Sequence, residues 1–250
     1  MTAGHPMTAG GYFGRALIVD VGAGSAATLE LPDEVLRGYI GGAGLGAWLM
    51  HRLAPPRIDP LSAEAPLAYV FSPLVGTPLT TSAKFAVVAK SPLTGLLTDA
   101  LASSHFAIAG KLTGYDAIIV TGARKTPSVL LVDENGARLE DAGDLAGLTA
   151  AQAGTKLRER LGRGWRVAAI GPAGERGVRY ATISHDGRHA GQPARLQRHR
   201  HATQQELPGR DVRGGATAGR GRQPDRPGGQ PGPESRQAAP PALDPAGGRR

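Results

Sequence analysis

The residue types best suited to holding a ligand stand along one stretch, Lys84 to Gly95, Lys-Phe-Ala-Val-Val-Ala-Lys-Ser-Pro-Leu-Thr-Gly. Phe85 to Ala89 form a continuous apolar run of strand length. Lys84 and Lys90 bracket the run, and Ser91-Pro92 breaks it, because proline cannot continue a ladder. Gly95 then frees the backbone for a tight reversal. A strand fixed in a core, with a cation at its start and a polar turn at its end, suits an anionic ligand. A lone lysine is most often solvated, so neither lysine decides the matter by itself.

Three further stretches offer polar groups. Gly41-Gly42-Ala43-Gly44-Leu45-Gly46 precedes a helical pattern, so its amides could face a phosphate; the competing reading is close helix packing. Ser103, Ser104 and His105 supply hydroxyls and an imidazole, but no nucleophile–base pair can be assembled around them. Asp186-Gly187-Arg188-His189-Ala190-Gly191 follows a strand, and the guanidinium fork of Arg188 suits an anionic or heteroaromatic ligand; otherwise the stretch is an exposed turn. Gly22-Ala-Gly24-Ser-Ala-Ala27 imitates a dinucleotide fingerprint. That motif must open a helix, whereas Thr28-Leu29-Glu30-Leu31 is strand-like, so a hairpin turn is the better reading.

These residues need elements to position them. Arg15 to Val21 and Ala26 to Leu31 read as a hairpin. A short helix runs from Pro32-Asp33-Glu34 to about Ile40, and a second carries Ala47 to Leu53 until Ala54-Pro55-Pro56 stops it. Leu67 to Phe71 is a buried strand, and Thr98 to Ala109 reads as a helix. Tyr115 to Val120 and Ser128 to Val132 are strands, the second returning through Asn135-Gly136 to Ala137–Glu140. Thr149 caps an amphipathic helix reaching Leu161. Trp165 to Ile170 and Val178 to Ser184 are strands joined by a turn at Gly171–Glu175.

Composition divides the chain. Of the net charge of +8, +6 lies from Gly191 onward, where 11 Arg face 5 acids. The body is nearly neutral, which gives no reason to expect nucleic-acid binding. There is no cysteine, which excludes disulfides, thiolate zinc sites and cysteine-ligated clusters within this chain. No apolar run approaches the roughly 20 residues of a membrane helix, and the N-terminus lacks a signal pattern, so a cytoplasmic protein is expected. From about Gly191 the only large aliphatics are Leu196, Leu207, Val212 and Leu243. Such a segment cannot offset an ordering cost of roughly 1–2 kcal/mol per residue, so 192–250 is expected to be disordered.

Taken together, the stretches resemble the N-terminal domain of tungsten-containing aldehyde:ferredoxin oxidoreductases. The matching pieces are Gly14-Arg15, Tyr39-Ile40-Gly41-Gly42-Ala43-Gly44-Leu45, Asp59-Pro60-Leu61-Ser62 and Lys90-Ser91-Pro92-Leu93-Thr94-Gly95. They continue with Gly114-Tyr115-Asp116-Ala117-Ile118-Ile119, Ile170-Gly171-Pro172-Ala173-Gly174-Glu175 and Gly187-Arg188-His189-Ala190-Gly191. The resemblance implies an α+β fold, two β-sheets with flanking helices, over residues 11–191, after a flexible 1–10. It implies a tungsten or molybdenum bis-pterin held by Gly44, Lys84, Ser103, Ser104, Arg188, Ala190 and Gly191. It also implies aldehyde oxidation to a carboxylic acid, a [4Fe–4S] cluster passing electrons to ferredoxin, and a homodimer. No residue is assigned as catalytic or as a metal ligand. A standalone pterin- or nucleotide-binding module with a basic tail is the alternative.

The departures are informative. Lys84 stands where the family usually has a cofactor-contacting Arg, which keeps the charge and loses the bidentate fork. Ala43 replaces an Arg of the family's glycine motif, and Leu101, Ser103 and Ser104 replace an Asn-x-Gly-Gly pattern. After residue 191 the family continues with a Gly-rich turn, a Val-Met-Gly-x-Lys segment and two helical domains carrying the cluster cysteines. Here Gln192 begins an Arg/Pro/Gly/Gln tail, the mix that out-of-frame translation of GC-rich DNA yields. The gene read in its other frames after codon 191 is therefore expected to restore a family-like continuation with cysteines; if neither frame does, the frameshift reading is wrong.

Overall fold

The computed structural model describes residues 10–186 and the backbone of 189–191 and 201–206. Two six-stranded sheets organise them. The first contains β1 (Arg15–Asp20), β2 (Ser25–Glu30), β3 (Leu67–Phe71), β4 (Lys84–Lys90), β5 (Leu97–Ser103) and β6 (Ala117–Thr121), in the order β2-β1-β6-β3-β4-β5. The second contains β7 (Ser128–Asp133), β8 (Gly136–Asp141), β9 (Trp165–Ala169), β10 (Ile183–His185), β11 (His189–Gly191) and β12 (His201–Glu206), in the order β11-β10-β9-β12-β7-β8. Pairs β1/β6 and β7/β12 are parallel, and every other pair is antiparallel.

The helices cover the sheets as their apolar faces require. Helices α1 (Asp33–Tyr39) and α2 (Gly42–Leu53) lie on one face of the first sheet, burying Leu36, Leu45 and Leu49 against Ala68, Val70, Ala86, Val88 and Ile119. Helix α3 (His105–Leu112) adds Phe106 and Ala107 to the core shared by both sheets. Helix α4 (Ala150–Leu161) closes the outer face of the second sheet with Ala153 and Leu157. Thr149 caps it as expected, in a capping box with Gln152.

A buried ion pair ties the chain's start to the middle of the sequence. The Lys111 ammonium pairs with Asp116, their side chains 4% and 1% exposed. Asp116 also accepts from the amides of Phe13 (3.0 Å) and Gly14 (2.8 Å), which fixes the entry to β1. The rings of Tyr12 and Phe13 stand within 5.7 and 5.3 Å of the ammonium. Burial lowers the Lys111 pKa, the Asp116 charge opposing it, and burial raises that of Tyr12. Removing one partner would strand a buried charge, at a cost of about 3–5 kcal/mol.

Most elements lie where the sequence places them, with three differences. Thr98 to Ala109 is not one helix: Leu97 to Ser103 is the edge strand β5, and the helix starts after Ser104. Exposed Leu97, Asp99, Leu101 and Ser103 alternate with Ala100 and Ala102, a period of two that the small residues disguise. The strand expected from Val178 begins only at Ile183, because Ala181 closes a turn on the carbonyl of Val178. Gly171–Glu175 contains a single helical turn, α5 (Pro172–Glu175), with proline at its first position. Within 192–250 the described backbone is β12, which runs between β7 and β9. Backbone donors and acceptors on those two strands need partners whatever the sequence between them.

Glycine sets the approach of α2 to the sheet. A Cβ on Gly46 would lie 2.4 Å from Val88 Cγ2, and one on Gly44 would lie 2.5 Å from the Tyr39 carbonyl oxygen. Gly46→Ala is therefore expected to destabilise the fold by about 1–3 kcal/mol through overpacking. Adding Val88→Ala should recover part of that loss, measured by urea unfolding as a double-mutant cycle.

Candidate functional site

The two ends of β4 have different jobs. At the Lys90 end the turn is closed on itself. The Ser91 hydroxyl accepts from the amides of Leu93 and Thr94, both at 3.2 Å, and Gly95 donates to the Ser91 carbonyl with φ +72°. Lys90 donates to the Ile58 carbonyl at 2.6 Å. These polar groups hold the β4–β5 hairpin and are spent there.

The Lys84 end is different. Register pairs Lys84 with Ser103, and the Lys84 ammonium donates to the Ser103 hydroxyl at 2.7 Å. Ser103 is exposed and Lys84 half-buried, so the pair faces solvent from a rigid base of Phe85 and Ala86. Leu101, paired with Ala86, is 64% exposed on the same face of β5 and gives the site an apolar flank.

Ser104 and Asp186 lock the next turn of chain. The Ser104 hydroxyl accepts from the Phe106 amide at 3.1 Å as the cap of α3. Asp186 accepts from the same amide through Oδ2 at 3.1 Å, and its own amide donates to the Val167 carbonyl at 2.8 Å. Asp186 adopts φ +53°, a conformation that aspartate tolerates better than most residues. It thus stitches the exit of β10 to the start of α3, next to Ser103. Strand β11 then lies against β5. His105 is exposed on the first turn of α3.

The glycine run completes the arrangement. Helix α2 starts at Gly42, inside the run, and no side chain caps it. Its first amides have no acceptors within the helix. A Cβ on Gly41 would meet Phe71 O at 3.3 Å, and one on Gly42 would lie 4.0 Å from the Ala86 Cβ. The helix therefore begins over the same end of β3 and β4 that carries Lys84. Gly44 answers to packing, as its approach to the Tyr39 carbonyl requires. The hairpin reading of Gly22–Gly24 holds: Ser25–Glu30 is a strand, which removes the dinucleotide fingerprint.

The structure thus gathers Lys84, Ser103, Ser104 and the start of α2 at one end of the first sheet, and the backbone of β11, which carries Ala190 and Gly191, lies against β5. Arg188 lies outside the described residues. Sequence reasoning missed Asp186 as an anchor; an acid directly before Gly187, after an apolar strand, was the available signal. Asp186→Ala is expected to cost about 1–2 kcal/mol of stability, and Asp186→Asn less, since one acceptor and the tolerance of positive φ remain. Urea unfolding of the two variants against the parent checks it.

Comparison with known proteins agrees. The family described as aldehyde ferredoxin oxidoreductase, N-terminal domain, matches residues 16–194. A tungsten-containing aldehyde ferredoxin oxidoreductase of Pyrococcus furiosus is 34% identical over 181 residues, covering 72% of this chain and 30% of that protein. The aliphatic sulfonate oxidoreductase WOR-like subunit of the same organism is 28% identical over 188 residues, covering 69% of this chain and 30% of that protein. Among solved structures, the BamBC active-site complex of benzoyl coenzyme A reductase with 1,5-dienoyl-CoA superposes with a TM-score of 0.74. It is 28% identical, covering 78% of this chain and 31% of its own. The chain spans about a third of the length of the relatives it matches. Two sheets with flanking helices, an ordered set of matching motifs and a matched span of 16–194 place this chain in the aldehyde ferredoxin oxidoreductase N-terminal domain family.

Proposed function

We propose that this chain is the cofactor-cradling N-terminal part of an aldehyde:ferredoxin oxidoreductase-like protein, holding a tungsten or molybdenum bis-pterin at the Lys84 end of the first sheet. The observation that carries the reading is the Lys84–Ser103 pair, fixed at a strand end beneath the uncapped start of α2. The donors fit the group: an ammonium, a hydroxyl and helix amides suit pterin phosphates, and exposed Leu101 suits a ring edge. Lys84 and Ser103 bind and neutralise; Gly44 and Ser104 hold α2 and α3 where contacts form; Arg188, Ala190 and Gly191 form the second cofactor-binding stretch that the family resemblance implies. When bound, the metal–pterin group supplies the redox chemistry of aldehyde oxidation.

The remaining functions fall to protein outside this chain. Without cysteine it has no thiolates for a [4Fe–4S] cluster, so aldehyde oxidation, electron transfer to ferredoxin and dimer formation require the rest of a full-length relative. The chain alone is then inactive, in a cytoplasmic setting; among the described residues no helix is long and apolar enough to cross a membrane.

The full chain, purified from cells supplied with tungstate or molybdate, is expected to carry metal by mass spectrometry and to release fluorescent oxidised pterin on denaturation. Lys84→Ala should lower both at least tenfold with its unfolding midpoint unchanged. An empty parent protein, or an equally loaded variant, would count against the cradle.

A further inference from the structure

The Lys90 end of β4 opens onto a cleft that the candidate site does not use. Its volume is about 360 Å³, within the roughly 300–1,000 Å³ of small-molecule sites. The end of α2 forms one wall, and the loop after α2 and the β4–β5 turn form the others. Met50, Ile58, Pro66, Leu96 and Leu97 give it an apolar lining, and the two leucines are 69% and 53% exposed. His51, Arg57 and Lys90 stand among them, and no carboxylate of the described residues lines the cleft. Apolar walls with basic groups and no counter-charge suit a ligand that is aliphatic and anionic.

Arg57 stands where its turn disfavours it. The Ile58 amide donates to the Pro55 carbonyl at 3.2 Å, closing a four-residue turn with Arg57 in third place at φ +57°. Glycine or asparagine ordinarily fills such a position, since a Cβ crowds the backbone at positive φ. Residues held in sparsely populated conformations cluster at ligand sites. Arg57 is exposed and makes no ion pair among the described residues. Lys90 is committed to the Ile58 carbonyl at 2.6 Å, so it braces the loop that carries Arg57 and adds charge rather than a direct contact.

We propose that this cleft binds a medium-chain aliphatic carboxylate, its chain against Met50, Leu96 and Leu97 and its carboxylate on the Arg57 guanidinium fork, with the His51 imidazole as a second donor. The seven residues of β4 put the cleft about 20 Å from Lys84, so the inference stands whether or not the cofactor reading holds.

The test titrates the full 250-residue chain with octanoate, acetate and octylamine. Octanoate should bind and slow amide exchange in 47–58 and 95–97. Acetate, which lacks the chain, and octylamine, which reverses the charge, should each bind at least tenfold more weakly. Arg57→Gly should weaken octanoate binding at least tenfold without lowering the unfolding midpoint, because glycine suits the positive φ. No octanoate binding, protection confined to the Lys84 end, equal binding of octylamine, or an Arg57→Gly variant that binds as the parent does would overturn the proposal. The comparison of the three ligands needs only the parent chain, so it decides the question even if the variant folds poorly.

Discussion

Phe85 is where the parts of this fold meet. Its ring stands 5.2 Å from Phe106 of α3 and 4.8 Å, edge-on, from His185 of β10, with Phe71 and Tyr69 behind it. The chain has only four phenylalanines, and three are in this junction, so much of the inter-sheet burial energy is concentrated there. Truncating one such ring typically costs about 3–5 kcal/mol. Lys84, Ser104 and Asp186, each one or two residues from Phe85, Phe106 and His185, form the candidate site or brace it. The site is rigid because its supports are core residues, one or two positions away along the chain.

That arrangement explains the division of labour among polar groups. Ser104 and Asp186 both accept from the Phe106 amide, so they hold α3 rather than a ligand directly. Lys84 and Ser103 engage each other at the surface, where a stronger acceptor can replace the serine hydroxyl. Lys111 and Asp116 perform a structural task deep in the molecule, where the ammonium, enclosed by aromatic rings, anchors the carboxylate that receives the chain's first amides. Of Lys84, Lys90 and Lys111, the last two are committed to the Ile58 carbonyl and to Asp116, and Lys84 is the one that faces solvent beside a helix start.

Much of the fold was legible because local rules decide it. The apolar runs 67–71 and 85–89, the Asn135-Gly136 reversal and the Thr149–Gln152 capping box each follow from a few residues. Strand β5 was not, since Ala100 and Ala102 suit a helix as well as a strand, and only the β4 ladder decides between them.

By itself, the sequence determined the hairpins at Gly22–Gly24 and Asn135-Gly136, the first two helices, the Thr149-capped helix, the composition break near residue 191 and the ordered motifs that carry family membership. It also pointed to the Lys84–Gly95 stretch. Only the tertiary structure decided which end of that stretch faces a ligand. The Ser91 turn closes on its own amides, while Lys84 meets Ser103 across a ladder and lies beneath a helix start that is more than forty residues away in the chain. Hydrogen-bond commitment of that kind depends on which distant groups come within reach, and no local pattern encodes it.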